Sequence, residues 1–271
     1  SYQWQRDGVD IAGATASIYL LAPADVGANI RIVVSYVDGQ GSAESLTSTP
    51  LGPVSNTNNS PSGAPAISGT FTENQVLTAD TSSIADVDGL GAFSYQWLRN
   101  GVTIGGATSS TYALGDADVG TNIRVVVSYV DLMGTAESLT SSAAGPIANV
   151  NDAPTGSVTI DDTTPTQGQT LTASNTLADA DGLGAMTYAW QADGSTVGSG
   201  STYVVTNAEV GKVMTVTASY IDGHGTAESV ASAATSAIAN VNDAPTGSVT
   251  IDDITPTQGQ TLTASNSLAD A

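Results

Sequence analysis

Apolar and polar positions alternate in short runs along this chain. Between residues 149 and 239, Val158 and Ile160 alternate with polar neighbours, as do Leu171 and Ala173, then Tyr188 and Trp190, then Met214, Val216, Ala218 and Tyr220. A period of two puts successive side chains on opposite faces of an extended strand, and no stretch repeats at the 3.6-residue period of a helix. Each run is short and ends in Gly, Pro, Asn or Asp. The pattern therefore predicts an all-β fold, a sandwich whose strands are punctuated by turns.

The same pattern recurs along the chain. SYQW at 1–4 returns as SYQW at 94–97 and TYAW at 187–190, which spaces Trp4, Trp97 and Trp190 equally at 93 residues. VSYVDGQGSAESLTS (34–48) returns as VSYVDLMGTAESLTS (127–141) and ASYIDGHGTAESVAS (218–232), with Tyr36, Tyr129 and Tyr220 spaced by 93 and then 91. The two lost residues fall in GSTVGSGSTY, between Trp190 and Tyr203. NVNDAPTGSVTIDD at 149–162 recurs at 240–253, and its earlier counterpart is the diverged NTNNSPSG at 56–63. Tandem domains are expected on this register: 1–55 as the later part of one repeat, 56–148 and 149–239 as complete repeats, and 240–271 as the opening of the next. The chain is expected to be a segment of a longer array.

A repeat of 91 to 93 residues matches the size of an immunoglobulin-type domain, with the tryptophan as the buried residue of strand C. The turn ADVG (24–27, 117–120) or AEVG (208–211) precedes the strand F that carries the tyrosine, and with no cysteine the core must be anchored by Trp and Tyr packing alone. NVNDAPTG followed by ADADGLGAMTYAW and SYIDGHGTAES resembles the tandem Ig-like, cadherin-like repeats of large bacterial secreted or cell-surface adhesins, the RTX-adhesin type of extender. The linker NVNDAP is similar to the calcium-binding linker of cadherins. That resemblance covers the whole chain. It implies an extracellular, bacterial-surface extender that holds an adhesive element away from the cell for attachment or biofilm formation, with calcium stiffening the domain junctions.

An Ig-like topology also says where the acidic residues should meet. The BC loop ADADGLG (178–184), the FG loop DGHGTAE (222–228) and the linker NVNDAP (149–154) belong at one pole of a repeat, while Glu73 in FTENQ and Asp116 and Asp118 in LGDADVG belong at the opposite pole of the repeat before. Calcium takes six to eight hard oxygen ligands, and such a junction offers carboxylates, amides and backbone carbonyls. Asn151, Asp152, Asp179 and Asp181 are the first candidate ligands, followed by Asp222, Glu73 and Asp118, with Glu228 weaker because TAES could equally begin strand G facing solvent. Asp-Gly pairs are also strong hairpin signals and Asn and Asp cap turns, so pure turn chemistry is the competing reading of the same residues. Asn59 stands where Asp152 would be, so the 56–61 junction is expected to bind a cation more weakly or to bend more easily.

Composition narrows the remaining functions. The chain has 271 residues, 26 acidic and five basic, for a formal charge of −21. That balance excludes the cationic footprint nucleic-acid binding needs and disfavours anionic membranes. No apolar run approaches the roughly 20 residues that span a bilayer. His224 is the only histidine, and the sister loops carry Gln40 and Met133 in its place. A solitary loop histidine reads as a turn substitution, and with no nucleophile elbow and no facing carboxylate pair the chain is not expected to be an enzyme. Adjacent Asp161 and Asp162 point apart on a strand or turn. Arg6 and Arg99, after the tryptophan, are expected to pair outward with carboxylates, as are Arg31 and Arg124 on strand F. The expected partners are neighbouring repeats of the same chain. Alternatives are a repeat subunit that polymerises with copies of itself into a filament, sheath or surface layer, and a carbohydrate- or protein-binding module.

Overall fold

The computed structural model describes residues 1–270 and is all-β, built from antiparallel sheets packed as Ig-like sandwiches. It divides into two compact units, Ser1–Val150 and Asn151–Ala271.

The first unit holds β1 (Tyr2–Arg6), β2 (Val9–Asp10), β3 (Ile30–Val37), β4 (Ala43–Thr47), β5 (Ala66–Ser68), β6 (Val76–Asp80), β7 (Ser94–Arg99), β8 (Val102–Thr103), β9 (Thr111–Ala113), β10 (Ile123–Val130) and β11 (Ala136–Thr140). Residues 1–55 form one sheet in the order β2-β1-β3-β4. Residues 56–148 form two sheets, β5-β6-β9 and β11-β10-β7-β8. Their inner faces meet in one core of Leu77 and Ala79 from β6, Trp97 from β7, and Ile123, Val125, Val127 and Tyr129 from β10, closed by Ile84, Leu114 and Ile147. The period-two residues of the sequence are those that face inward, because the pleat alternates them with polar neighbours.

Trp97 is fully buried, lies opposite Val125 across the ladder and stacks on Tyr112 with ring centroids 5.6 Å apart. Its indole N–H donates to the Ser109 carbonyl at 2.9 Å, which satisfies its one polar atom. Trp4 with Tyr19 and Trp190 with Tyr203 repeat the stack at 5.7 and 6.0 Å. The partner of the tryptophan is thus the tyrosine of the short fifth strand. The strand F tyrosine, Tyr129, is buried in the core as expected, where it meets Phe93 edge-on and sends its hydroxyl to the BC loop.

The second unit holds β12 (Val158–Ile160), β13 (Thr170–Asn175), β14 (Thr187–Ala192), β15 (Ser195–Ser199), β16 (Thr202–Val204), β17 (Met214–Ile221), β18 (Ala227–Ala231), β19 (Val249–Ile251) and β20 (Ala264–Asn266). Residues 149–239 repeat the sandwich as β12-β13-β16 and β15-β14-β17-β18 around Trp190, Leu171, Met214, Val216 and Ala218. Where the sequence loses two residues, the short β8 is replaced by a five-residue β15 that pairs with β14 through a bulge at Trp190/Gln191. Residues 240–270 contribute the hairpin β19–β20.

Glycines bring the loops onto the strands. A Cβ on Gly91 would lie 1.9 Å from the Val130 carbonyl oxygen, and one on Gly184 the same distance from that of Ile221. Only a residue without a side chain lets the BC loop lie across the end of β10 or β17. That contact sets the BC carboxylates beside the FG turn.

Candidate metal centre

At the BC and FG pole of residues 56–148, Asp86 and Asp88 come from the loop between β6 and β7, Asp131 follows β10, and Glu137 lies in β11. Asp86 accepts the Asp88 N–H at 2.9 Å with one oxygen and the Tyr129 hydroxyl at 2.6 Å with the other. Asp131 caps its own turn, accepting the Met133 and Thr135 N–H groups at 2.8 Å through Oδ1. Its Oδ2 is buried with no hydrogen-bond partner. Glu137 accepts the Asn58 amide at 2.7 Å. One oxygen from each of Asp86, Asp131 and Glu137 falls within 4.8 Å of the other two. Burial, the bond to Asp86 and the charges of Asp86, Glu137 and Asp131 all push the Tyr129 phenol well above its ordinary range. Asp88 is buried and accepts the Asn59 N–H at 2.6 Å, which holds its carboxyl below the usual value.

The second unit builds the same pole at residues 149–239. Asn151 donates to Glu228 at 2.8 Å, and the Asp152 N–H donates to Asp181 at 2.8 Å, the counterparts of Asn58–Glu137 and Asn59–Asp88. Asp179 accepts the Asp181 N–H at 2.9 Å and the Tyr220 hydroxyl. Asp222 caps the FG turn through the His224 and Thr226 N–H groups, while its Oδ2 is buried without a hydrogen-bond partner. Burial works to raise the Asp222 carboxyl, but those N–H groups outweigh it and hold it low. Gly223 donates its N–H to the Asp181 carbonyl at 2.9 Å and ties the two loops together. Asn151, Asp152, Asp179, Asp181 and Asp222 therefore share one pole, with Glu228 beside them. His224 places Nε2 4.0 Å from Asp181.

Glu73 and Asp118 sit at the other pole of residues 56–148. Glu73 is fully buried in the turn before β6 and accepts the Val150 N–H at 3.3 Å. Asp118 is also buried, but it accepts from the Arg99 guanidinium at 2.7 Å, the Tyr112 hydroxyl at 2.9 Å and the Gly115 N–H at 3.0 Å. Both of its oxygens, expected as ligands, are committed to these bonds. Asp116, exposed at the start of the same single turn of 3₁₀ helix, is the aspartate whose carboxylate comes within 4.8 Å of Glu73. The expectation that Arg6 and Arg99 pair outward is likewise corrected, since each reaches back to a buried aspartate, Arg6 to Asp25 at 2.6 Å and Arg99 to Asp118. Residues 149–239 replace this pair: Ala192 stands at the arginine position, and Glu209 bonds Thr206 through the hydroxyl at 2.7 Å and the N–H at 2.8 Å. At the start of 240–271, Gln167 stands where the preceding repeat has Glu73, donating to Asp243 at 2.7 Å and accepting the Val241 N–H at 3.2 Å.

The donors present fit calcium. They are hard oxygens from carboxylates, amides and backbone, and buried Asp131 Oδ2 and Asp222 Oδ2 lack the partner a buried charge requires. Among the described residues, the side-chain ion pairs are Arg6–Asp25, Arg99–Asp118 and the His224–Asp181 contact, and none neutralises Asp86, Asp131 or Glu137. Bound there, an ion would supply charge neutralisation and cross-linking of loops. Sequence reasoning singled out the pole of 149–239 and passed over Asp86, Asp131 and Glu137, because Asn59 made that junction look depleted. The register itself carried the signal, since these three align with Asp179, Asp222 and Glu228.

No family model matches the chain, and no curated protein matches it in sequence. Solved structures are similar in fold. A calcium-stabilised adhesin with which an Antarctic bacterium binds ice is 16% identical, with 93% of this chain and 67% of that one covered at a TM-score of 0.31. A tetra-tandem repeat from the extending region of a large adhesion protein is 17% identical, with 90% and 71% covered at 0.29. Domains A168–A170 from titin align at 13% identity, with 88% of each chain covered at a TM-score of 0.25.

Proposed function

We propose that this chain is part of a non-enzymatic, extracellular extender of the bacterial adhesin type, in which Ig-like repeats are joined in series and the junctions are rigidified by calcium. The repeated capture of linker backbone by pole carboxylates carries this reading: Asn59 N–H to Asp88 and Asp152 N–H to Asp181 hold each linker against the repeat that follows it. Glu73 holds Val150 from the repeat before. A spacer needs such fixed joints and needs nothing that turns over a substrate. Asn151, Asp152, Asp179, Asp181 and Asp222 are the proposed ligands at the 149–154 linker, while Glu73 holds the Val150 N–H within its own unit.

The proposal is tested by scanning calorimetry of the whole chain in calcium and in chelator at fixed ionic strength. Binding that favours the ordered junction stabilises by about 2.7 kcal/mol per site when free ion is 100 times its dissociation constant. The expected outcome is a higher melting temperature in calcium, accompanied by a longer scattering dimension. Identical melts and dimensions in the two buffers would overturn the calcium part of the reading.

A further inference from the structure

We propose that Asp86, Asp131 and Glu137 form a divalent-cation site of the calcium type, closed within residues 56–148 and independent of any linker carboxylate. Three observations point to it. The three residues converge from separate elements, the BC loop, the FG turn and β11, so that one oxygen of each lies within 4.8 Å of the others. Asp131 is 4% exposed, and its Oδ2 is buried with no hydrogen-bond partner, while its Oδ1 is used by the turn. The arrangement recurs in the sister repeat, where Asp222 leaves the same oxygen unpartnered, Tyr220 bonds Asp179 as Tyr129 bonds Asp86, and Asn151 bonds Glu228 as Asn58 bonds Glu137.

A buried carboxylate oxygen without a donor is costly unless a charge compensates it. Among the described residues no Lys, Arg or His pairs with any of the three. A hard cation satisfies all three at once, and the Asn58 amide, turned by half a rotation, offers its carbonyl oxygen in place of its N–H. The expectation that the Asn59 junction binds weakly rested on the linker residue alone. With ligands drawn from the repeat itself, Asn59 is needed only for its backbone N–H on Asp88.

The test is calcium titration by isothermal calorimetry on the whole 271-residue chain after chelation, comparing wild type with Glu137→Gln, Asp131→Asn and the junction variant Asp152→Asn. Asp131→Asn keeps the Oδ1 that caps the turn, and half-buried Glu137 is changed to Gln at constant size, so Glu137→Gln decides the matter if the other variant fails to fold. The expected result is the loss of one calcium equivalent in Glu137→Gln and in Asp131→Asn, with that equivalent retained in Asp152→Asn. Unchanged stoichiometry in Glu137→Gln would overturn the inference, whatever Asp152→Asn does. A loss in Asp152→Asn alone overturns it and leaves the junction reading standing, while a loss in the pole variants alone supports it and overturns the junction reading.

Discussion

At the scale of single residues, the chain assigns its carboxylates to two different tasks that composition cannot separate. Asp25 and Asp118 are buried beside an arginine, a tyrosine hydroxyl and a turn N–H. Asp131 and Asp222 are buried with one oxygen capping a turn and one unpartnered. The first pair is internally neutralised, while the second keeps one buried oxygen without a hydrogen-bond partner. Replacing Arg99 by Ala leaves Asp118 buried without its cation, and the expected cost is about 1–3 kcal/mol in guanidinium unfolding. The arginine is a third exposed, so solvent screens part of the pair and the lower half of that range is expected. No change in the unfolding midpoint would show that the tyrosine and the turn N–H suffice. Sequence alone placed Asp118 in its turn but did not show its bond to Arg99. Asp116 and Asp118 are two residues apart on one turn, and which of them faces Arg99 depends on a ladder register that pairs Arg99 with Ile123, 24 positions away.

Strands were more legible than sites, because a period of two is a local property and a ligand set is not. Trp97, Val125, Val127 and Leu171 face the core as their alternation requires. The stacking partner of the tryptophan was not legible: Tyr112 and Tyr203 lie on three-residue strands with little pattern of their own, whereas Tyr129 and Tyr220 sit in the longest apolar runs and drew attention first. Loops connect strands to poles through close backbone approach. Gly91→Ala forces a Cβ against the Val130 carbonyl, and the expected penalty is about 1–3 kcal/mol, with looser FG protection in hydrogen exchange. Gly101→Ala, where nothing lies within 4 Å but φ is +84°, separates backbone strain from overlap. Gly91 carries no positive φ, so an unchanged stability in Gly91→Ala would show that the close approach contributes nothing.

For the whole molecule, acid is the condition that reaches every pole together. Asp25, Asp88 and Asp222 are held below their ordinary values, Asp25 and Asp222 despite burial that opposes it, by N–H donors and, for Asp25, by Arg6. A depressed carboxyl stabilises the fold fully above its unfolded value of about 3.9 and loses that contribution as pH falls through the folded one. Melting temperature in chelator is therefore expected to hold from neutrality to about pH 5 and to fall below about pH 4. A melt that stays level to pH 2.5 would show that these carboxyls are not held low. The joints differ in another respect. Glu73 meets the backbone of the 149–154 linker with a carboxylate, whereas Gln167 meets the 240–243 linker with a neutral amide that bonds Asp243 directly. The amide at this position both donates and accepts, whereas a carboxylate only accepts. If the proposed calcium joints hold, an array that alternates the two residues is expected to soften in calcium-poor water at its glutamate links, like a rod with its elbows written into it.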